Sequence, residues 1–134
     1  MTDGWLRAPG TLLRAVFEII YGFYVLAVFL VFGLSAFVAV LLPLGIQARR
    51  QIAHFAGRAF FAVAGLRIRL VNEHLLPSGP CVVVANHASY LDGIVLKAAL
   101  PARFSFVIKK EFSRVPLAGL LLKRIGSEFV DRFN

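Results

Sequence analysis

Residues 81–92, Cys-Val-Val-Val-Ala-Asn-His-Ala-Ser-Tyr-Leu-Asp, contain the change of pattern from which the fold class is predicted. The first five, Cys81 to Ala85, form a continuous run rich in β-branched side chains, which predicts a strand buried on both faces. Helical periodicity follows from Ser89 to Leu100 and stops at Pro101. A buried strand that leads directly into a helix is typical of α/β folds.

Strands and helices alternate on both sides of this stretch. Upstream, Leu66–Val71 alternates apolar with basic residues, which predicts a half-exposed strand at a sheet edge. Downstream, the pattern predicts a strand over Phe104–Ile108, a short helix over Leu117–Lys123 and the start of a further strand at Phe129–Val130. We therefore predict an α/β domain with a largely parallel or mixed sheet.

A long apolar run precedes this domain. As a helix, Ile19 to Leu42 would measure roughly 36 Å at about 1.5 Å per residue, which is enough to cross a hydrocarbon core of about 30 Å. A cleaved signal peptide fits less well, because its apolar region would be shorter and would end in a small-residue cleavage site. We thus predict a lead over 1–16, hydrophobic and amphipathic membrane-associated helices over 17–64, and the first part of the α/β domain over 65–134.

The residues after the apolar run predict an amphipathic helix. Its polar side chains recur at spacings of three and four, namely Gln47, Arg50, Gln51, His54 and Arg58. The pattern fits a helix lying in the membrane interface, and it fits equally a helix packed on its own domain with a solvated polar face. His54 belongs to this polar stripe, and we assign it no chemistry.

The charge distribution points to a membrane surface. Lys and Arg outnumber Asp and Glu by 15 to 7, for a net charge of +8. The excess lies largely beyond the apolar run, which predicts that this side faces the cytoplasm. The basic residues form no basic block or aromatic-basic motif, so we predict no nucleic-acid partner. Anionic lipid headgroups are the simpler partner, since each nearby Lys or Arg contributes about 1 kcal/mol.

Two titratable residues stand where the predicted strand gives way to the helix. His87 follows the strand at its carboxyl end, where α/β folds display reactive groups. If Asp92 accepts one ring N–H, the other ring nitrogen can act as a general base. A spacing of five would separate the pair by about 140° on a helix, so His87 must precede the helix. Asp92 also fits a capping box with Ser89 as the N-cap, and the two roles are compatible.

At these residues the sequence resembles the phosphate acyltransferases typified by 1-acylglycerol-3-phosphate acyltransferase. The first signature of that family has an Asn-His pair, a Ser and an Asp, which are matched by Asn86, His87, Ser89 and Asp92. The second has a Lys-Glu pair, a Pro, Gly residues and a closing aromatic-aliphatic-acid-Arg stretch, which are matched by Lys110-Glu111, Pro116, Gly119, Gly126 and Phe129 to Arg132.

The resemblance implies a glycerolipid acyltransferase-like α/β domain behind the membrane-associated helices. It implies that His87 deprotonates the acceptor hydroxyl, that Asp92 orients His87, and that the hydroxyl attacks the thioester of acyl-CoA or acyl-carrier protein. It also implies that Arg132 holds the acceptor phosphate. The remaining substrate-binding residues that it implies are Asn86, Ser89 and Lys110. For Lys110 a solvated strand end is the alternative.

The predicted partners are therefore membrane lipids, a lysophospholipid acceptor and the acyl donor, with no metal and no cofactor. The sequence ends at Asn134, before the family's third signature, a Pro-Glu-Gly-Thr-Arg type stretch, and its fourth. We expect a fragment of a longer protein or a truncated product. Two other functions stay open: acyl transfer to another lyso-lipid such as a lyso-ornithine lipid, and a non-catalytic membrane-anchored fragment. Cys81 is interpreted as a small hydrophobe.

Overall fold

A computed structural model describes residues 9–86, 89 and 91–131. Its α-helices are α1 (Pro9–Leu41), α2 (Ile46–Val63), α3 (Leu91–Ala99) and α4 (Ala118–Arg124). Its strands are β1 (Val107–Lys109) and β2 (Glu128–Val130), and short 3₁₀ helices span Glu73–Leu75 and Lys110–Arg114. Helices thus dominate the described part of the chain, and its sheet is small.

Helix α1 confirms the predicted apolar helix and extends it toward the N-terminus. It begins at Pro9, inside the predicted lead over 1–16, and its first turns carry an exposed ion pair between Arg14 Nε and Glu18 Oε1 at 2.8 Å. Residues Thr11–Leu41 are long and apolar enough to cross a membrane, with a mean hydropathy of 2.6. Only 17% of an 18-residue apolar stretch of this helix is buried. This low burial distinguishes α1 from the core helix of a soluble domain.

Helices α1 and α2 form an antiparallel hairpin. Its register is fixed by hydrogen bonds from Tyr21 Oη to the Ala64 carbonyl (2.8 Å), from Tyr24 Oη to the Val63 carbonyl (2.8 Å) and from Arg49 Nη2 to the Leu42 carbonyl (3.4 Å), and by an edge-to-face contact of the Phe29 and Phe60 rings. The two tyrosines satisfy carbonyls at the C-terminal end of α2, which no later turn of that helix can reach. Residues 21–41 of α1 are therefore paired with α2 from the turn at Leu42 to the end of α2.

Helix α2 confirms the predicted amphipathic helix and lies between α1 and α3. Of the two placements open from the sequence, the structure supports packing on its own domain. The polar stripe is divided, however. Arg50 and His54 turn toward the domain, where His54 Nδ1 lies 3.0 Å from the carbonyl of Lys97, whereas Arg58 is exposed. The expectation of a solvated polar face was therefore wrong for Arg50 and His54, because backbone carbonyls of the domain offer them acceptors.

Two predicted strands are absent. Residues 66–71 and 81–86 are all described, and neither segment forms a strand. Val82 and Val84 are about nine-tenths exposed, so the expected burial on both faces is also wrong. The physical reason is pairing: among the described residues, neither segment has a neighbouring strand to bond to. Cys81 is half-buried beside them.

The remaining predicted elements are confirmed with small shifts. Helix α3 covers most of the predicted Ser89–Leu100 segment, and α4 matches the one predicted over Leu117–Lys123. The strand predicted over Phe104–Ile108 forms at Val107–Lys109. It pairs in parallel with β2, with Ile108 opposite Phe129. A parallel pair joined through α4 is the α/β arrangement expected, reduced to two described strands.

Candidate functional site

The first cluster of predicted site residues lies at the start of α3. The Ser89 backbone N–H donates to Asp92 Oδ2 at 2.9 Å, and Ser89 Oγ accepts the Leu91 N–H at 3.2 Å. This reciprocal pattern is a capping box, with Ser89 at the N-cap and Asp92 three residues later. It confirms the capping prediction and holds the Asp92 carboxylate at the N-terminus of α3. Asn86, at the end of the exposed 81–86 segment, leads into this turn.

His87 lies outside the described residues, so the His87–Asp92 dyad stays a prediction. The capping box is nevertheless compatible with it. A carboxylate has two oxygens and about four acceptor positions, and the Ser89 N–H uses one position on Oδ2. A carboxylate fixed by a backbone donor is also pre-oriented, which is what a residue that orients a catalytic imidazole requires.

The second cluster lies at the carboxyl ends of the two parallel strands. Lys110 directly follows β1 and Asp131 directly follows β2, and Lys110 Nζ lies 3.2 Å from Asp131 Oδ2. Glu111 and Arg114 join them around a shallow pocket of about 200 Å³. The carboxyl ends of parallel strands meet at one sheet edge, which is where α/β proteins bind ligands.

The ion pair refines the two interpretations of Lys110. Its side chain is 56% exposed, as a solvated strand end would be, but its ammonium is held toward the pocket by Asp131. Pairs of this exposure contribute little to stability, so the contact orients Lys110 more than it stabilises the fold. Arg132, the predicted phosphate ligand, is the next residue after Asp131 and lies outside the described residues. Its role stays a prediction.

A glycine of the second signature allows α4 to pack closely against the 3₁₀ helix of the second cluster. A Cβ atom placed on Gly119 would lie 2.5 Å from the Ser113 carbonyl oxygen and 2.9 Å from that of Phe112. Both oxygens belong to the 3₁₀ helix that carries Lys110 and Arg114. Helix α4 can therefore close onto this turn only through a residue without a side chain, which explains the glycine physically.

Sequence reasoning missed several residues of this region. Arg114 lines the pocket with Lys110, and its signal was the spacing of four between two basic residues. Arg50 was placed on a polar stripe without a role, although its guanidinium reaches the turn before β2. Lys97 is half-buried with Nζ 5.5 Å from the centre of the Phe106 ring. Burial, and next the charge of Arg50, lower the pKa of Lys97 from 10.5 to about 8.

Metal-binding groups do not cluster in the region that the structure covers. Within residues 9–86, 89 and 91–131, no group of three or more His, Cys, Asp or Glu side chains could hold an ion. Among the described side chains, the carboxylate, ammonium and guanidinium groups of the second cluster can transfer protons and bind anions.

Comparison with known proteins identifies the region that carries both clusters. The model of the family described as "Acyltransferase" matches residues 67–134. The 1-acyl-sn-glycerol-3-phosphate acyltransferase of Saccharomyces cerevisiae is 34% identical over 68 residues, covering 51% of this chain and 22% of that protein. The enzyme of the same name from Helicobacter pylori is 32% identical over 73 residues, covering 54% and 30%.

A third relative is lysophosphatidylcholine acyltransferase 2 of Rattus norvegicus, which is 35% identical over 92 residues, covering 64% of this chain and 16% of that protein. The match thus spans less than a third of the length of each of these relatives. No solved structure matches the chain.

Proposed function

This chain belongs to the acyltransferase family, and we propose that its protein transfers a fatty acyl group from acyl-CoA or acyl-carrier protein to the free hydroxyl of a lysophospholipid. The proposed reaction converts 1-acylglycerol-3-phosphate to phosphatidic acid in phospholipid synthesis. The observation that carries the proposal is the Ser89–Asp92 capping box. It fixes the carboxylate of the first signature at the helix start, five residues after His87 in the sequence.

The proposed chemistry needs one base and no covalent acyl-enzyme. His87 takes the proton of the acceptor hydroxyl as the oxygen attacks the thioester carbonyl carbon. The carbon–sulfur bond then breaks, and the thiolate leaving group takes the proton back from the imidazolium. Asp92 holds the imidazole in the required tautomer and stabilises its charged form. General base catalysis of this kind contributes about 10² to 10⁴ in rate.

The acceptor phosphate would bind at the second cluster. Arg132 offers a planar fork that matches two phosphate oxygens, and Lys110 offers a point charge from the end of β1. The Lys110–Asp131 ion pair supports this assignment, because it orients the ammonium toward the pocket beside Arg114. Asp131 offsets part of the positive charge, so phosphate recognition would depend chiefly on the guanidinium groups.

We propose that the protein is held at the membrane by the α1–α2 hairpin lying in one leaflet. Residues 21–41 of α1, roughly 30 Å at about 1.5 Å per residue, pair lengthwise with α2. If α1 crossed the bilayer, α2 would lie at the same depth with Arg49, Arg50 and Arg58. Each arginine costs about 2.5–3.5 kcal/mol at the bilayer centre. An in-plane hairpin instead places the exposed apolar face of α1 in the acyl region and α2 beneath the domain.

The excess of Lys and Arg beyond the apolar run supports the cytoplasmic face for the catalytic region. A second candidate function is transfer to another lysophospholipid. It is favoured by the rat relative, whose name specifies lysophosphatidylcholine and whose aligned segment covers 64% of this chain. The first signature concerns the hydroxyl and the thioester, so it does not distinguish between headgroups.

The test is acyl transfer by the full-length protein in detergent or liposomes. Labelled acyl-CoA and acyl-carrier protein are each offered with lysophosphatidic acid, lysophosphatidylcholine or lysophosphatidylethanolamine, and the release of the donor thiol is followed with the lipid product. We expect product from lysophosphatidic acid, and a preference for another acceptor would support the second candidate. No turnover with any donor and acceptor, while an established acyltransferase works in the same assay, would contradict the proposal and favour the non-catalytic alternative.

A further inference from the structure

Arg50 connects the membrane hairpin to the turn that precedes β2. From α2, its Nε donates to the carbonyl of Ile125 at 2.9 Å, and its Nη2 donates to that of Gly126 at 3.2 Å. Its Nη1 donates to the carbonyl of Arg103 at 3.3 Å. One guanidinium on a single helix thus binds three backbone carbonyls that lie more than 50 positions away in sequence.

These acceptors explain why an arginine is needed. Ile125 is the C-cap residue that follows the last residue of α4, so its carbonyl lies at the negative end of that helix and lacks an intrahelical donor. A guanidinium has five donors in a fixed planar fork, whereas a lysine has one rotating ammonium at the end of a flexible stem. Arg50 can therefore hold adjacent carbonyls in one defined orientation, and a lysine cannot.

The backbone conformation of Gly126 and its lack of a side chain allow this contact. Its backbone has φ +73°, a conformation that residues with a side chain rarely adopt. A Cβ atom added there would lie 2.9 Å from Arg50 Nη2 and would collide with Ile46 Cδ1. Both obstacles come from α2. Gly126 of the second signature is therefore a second point of contact between α2 and the domain, beside the packing of α2 on α3.

The turn is directly continuous with the second cluster. The Ser127 N–H closes back on the Leu122 carbonyl at 3.0 Å, and the Glu128 N–H begins the sheet by donating to the Phe106 carbonyl at 2.8 Å. Strand β2 is three residues long and leads straight to Asp131. Because β2 is only three residues long, a displacement of the turn would also displace Asp131 and the pocket that it lines.

A second connection runs toward the first cluster. Arg103, whose carbonyl Arg50 holds, donates through its own guanidinium to the carbonyls of Pro77 and Ser78. These two residues precede the segment that ends at Asn86. Arg50 therefore lies at the junction of the membrane hairpin with the turns leading to both signatures.

We propose that Arg50 is a positioning residue that sets the height of the acceptor-binding end of the site relative to the membrane hairpin. The inference rests on the proposed function. The acceptor is a membrane lipid whose headgroup lies at a fixed depth, whereas the CoA or carrier-protein part of the acyl donor approaches from the aqueous phase. A site displaced relative to α1 and α2 should therefore bind the acceptor poorly and the donor normally.

The experiment uses the full-length protein in liposomes with Arg50→Lys, Arg50→Met and Gly126→Ala. Steady-state kinetics are measured with lysophosphatidic acid and acyl-CoA varied separately, together with the thermal unfolding midpoint. We expect KM for the acceptor to rise about tenfold in Arg50→Met and Gly126→Ala and less in Arg50→Lys, with KM for acyl-CoA unchanged. Combining Arg50→Met with Gly126→Ala should add little, because both remove one contact.

The matched control is Arg49→Met, which removes the same charge from the same helix. Arg49 binds the Leu42 carbonyl within the hairpin and makes no contact with the α4–β2 turn among the hydrogen bonds described. Its acceptor KM should stay near that of the wild type. An unchanged acceptor KM in folded Arg50→Met, equal changes in both KM values, or loss of folded protein in all Arg50 and Gly126 variants would overturn the inference. Absence of acyl transfer by the wild type would overturn the proposed function itself.

Discussion

The backbone N–H of Ser89 lies 2.9 Å from Oδ2 of Asp92, so the carboxylate of the first signature is also the carboxylate that caps α3. One side chain thereby has a structural task that the structure displays and a catalytic task that the family suggests. The two tasks make different demands, since a cap needs an acceptor oxygen and a dyad needs a negative charge. Substitution can therefore separate them.

We predict that Asp92→Asn keeps the cap and loses the charge. An amide oxygen can still accept the Ser89 N–H, so the unfolding midpoint should change little. Acyl transfer should fall at least tenfold, because a neutral amide stabilises the imidazolium less well. Ser89→Ala is the matched control, expected to cost about 1 kcal/mol of stability through loss of the N-cap. Normal turnover in Asp92→Asn would remove Asp92 from the mechanism.

His87→Ala should abolish most acyl transfer while the protein stays folded. General base catalysis contributes about 10² to 10⁴ in rate, and a loss of that size in kcat is expected. The measurement is transfer from acyl-CoA to lysophosphatidic acid by membranes containing matched amounts of each variant. His74→Ala, on the separate 3₁₀ helix Glu73–Leu75, is the control for loss of an imidazole. Near-normal turnover in His87→Ala refutes the general-base mechanism.

Arg132→Ala should act chiefly on acceptor binding. Loss of the guanidinium fork should raise KM for lysophosphatidic acid by about tenfold or more, while KM for acyl-CoA is kept. Arg114→Ala serves as a comparison, because Arg114 lines the pocket beside Lys110 and Asp131. If acceptor dependence is identical in wild type and Arg132→Ala, the phosphate assignment is wrong and the dyad is unaffected.

The in-plane hairpin predicts that both ends of α1 lie on one side of the membrane. Single cysteines at Thr11→Cys and Gln47→Cys, in a Cys81→Ala background, should react with an impermeant maleimide from the same side of sealed vesicles. Gln47 is exposed and is the second residue of α2, so its labelling shows on which side of the membrane the α1–α2 turn lies. Labelling from opposite sides would show that α1 crosses the bilayer. Recovery of the protein as a soluble monomer without detergent would exclude either arrangement.

Because Lys97 is half-buried, we predict that the free energy of unfolding changes with pH in the alkaline range. Burial, followed by the charge of Arg50, lowers the pKa of Lys97 to about 8 in the folded protein, against 10.5 unfolded. Between these values the unfolded state binds more protons, so this group makes stability rise as pH increases from about 8 to 10.5. Lys97→Met should remove that rise and stabilise the protein at pH 7. Exposed Lys123→Met should do neither, and identical pH profiles for Lys97→Met and wild type would contradict the assignment.

The helices, the capping box and the family could be predicted from local sequence. Each rests on residues close together in the chain: α2 on a spacing of three and four, the start of α3 on Ser89 and Asp92, and the family on two short signatures. Local periodicity and caps fix local conformation, because the hydrogen bonds concerned join residues about four apart. These features therefore depend little on residues distant in the sequence.

The strands needed more than sequence. The β-branched run Cys81–Ala85 has the composition of a buried strand, yet in the structure it forms none, whereas the shorter Val107–Lys109 does. The difference is a partner: Val107–Lys109 pairs with Glu128–Val130, while no described strand pairs with the valines. Strand formation depends on backbone groups from elsewhere in the chain, so composition predicts a tendency and pairing decides the outcome.

The side of α2 that contacts the domain, and the contacts of Arg50, depend on long-range packing. Arg50 and Gly126 are 76 positions apart, and neither residue type nor spacing announces their contact. The polar stripe suggested solvent, because a basic side chain usually remains hydrated. In the folded chain, the carbonyl end of α4 lies within hydrogen-bond distance of the Arg50 guanidinium. A carbonyl without an intrahelical donor binds a charged donor favourably. Such a contact belongs to the assembled fold, and no local pattern could have predicted it.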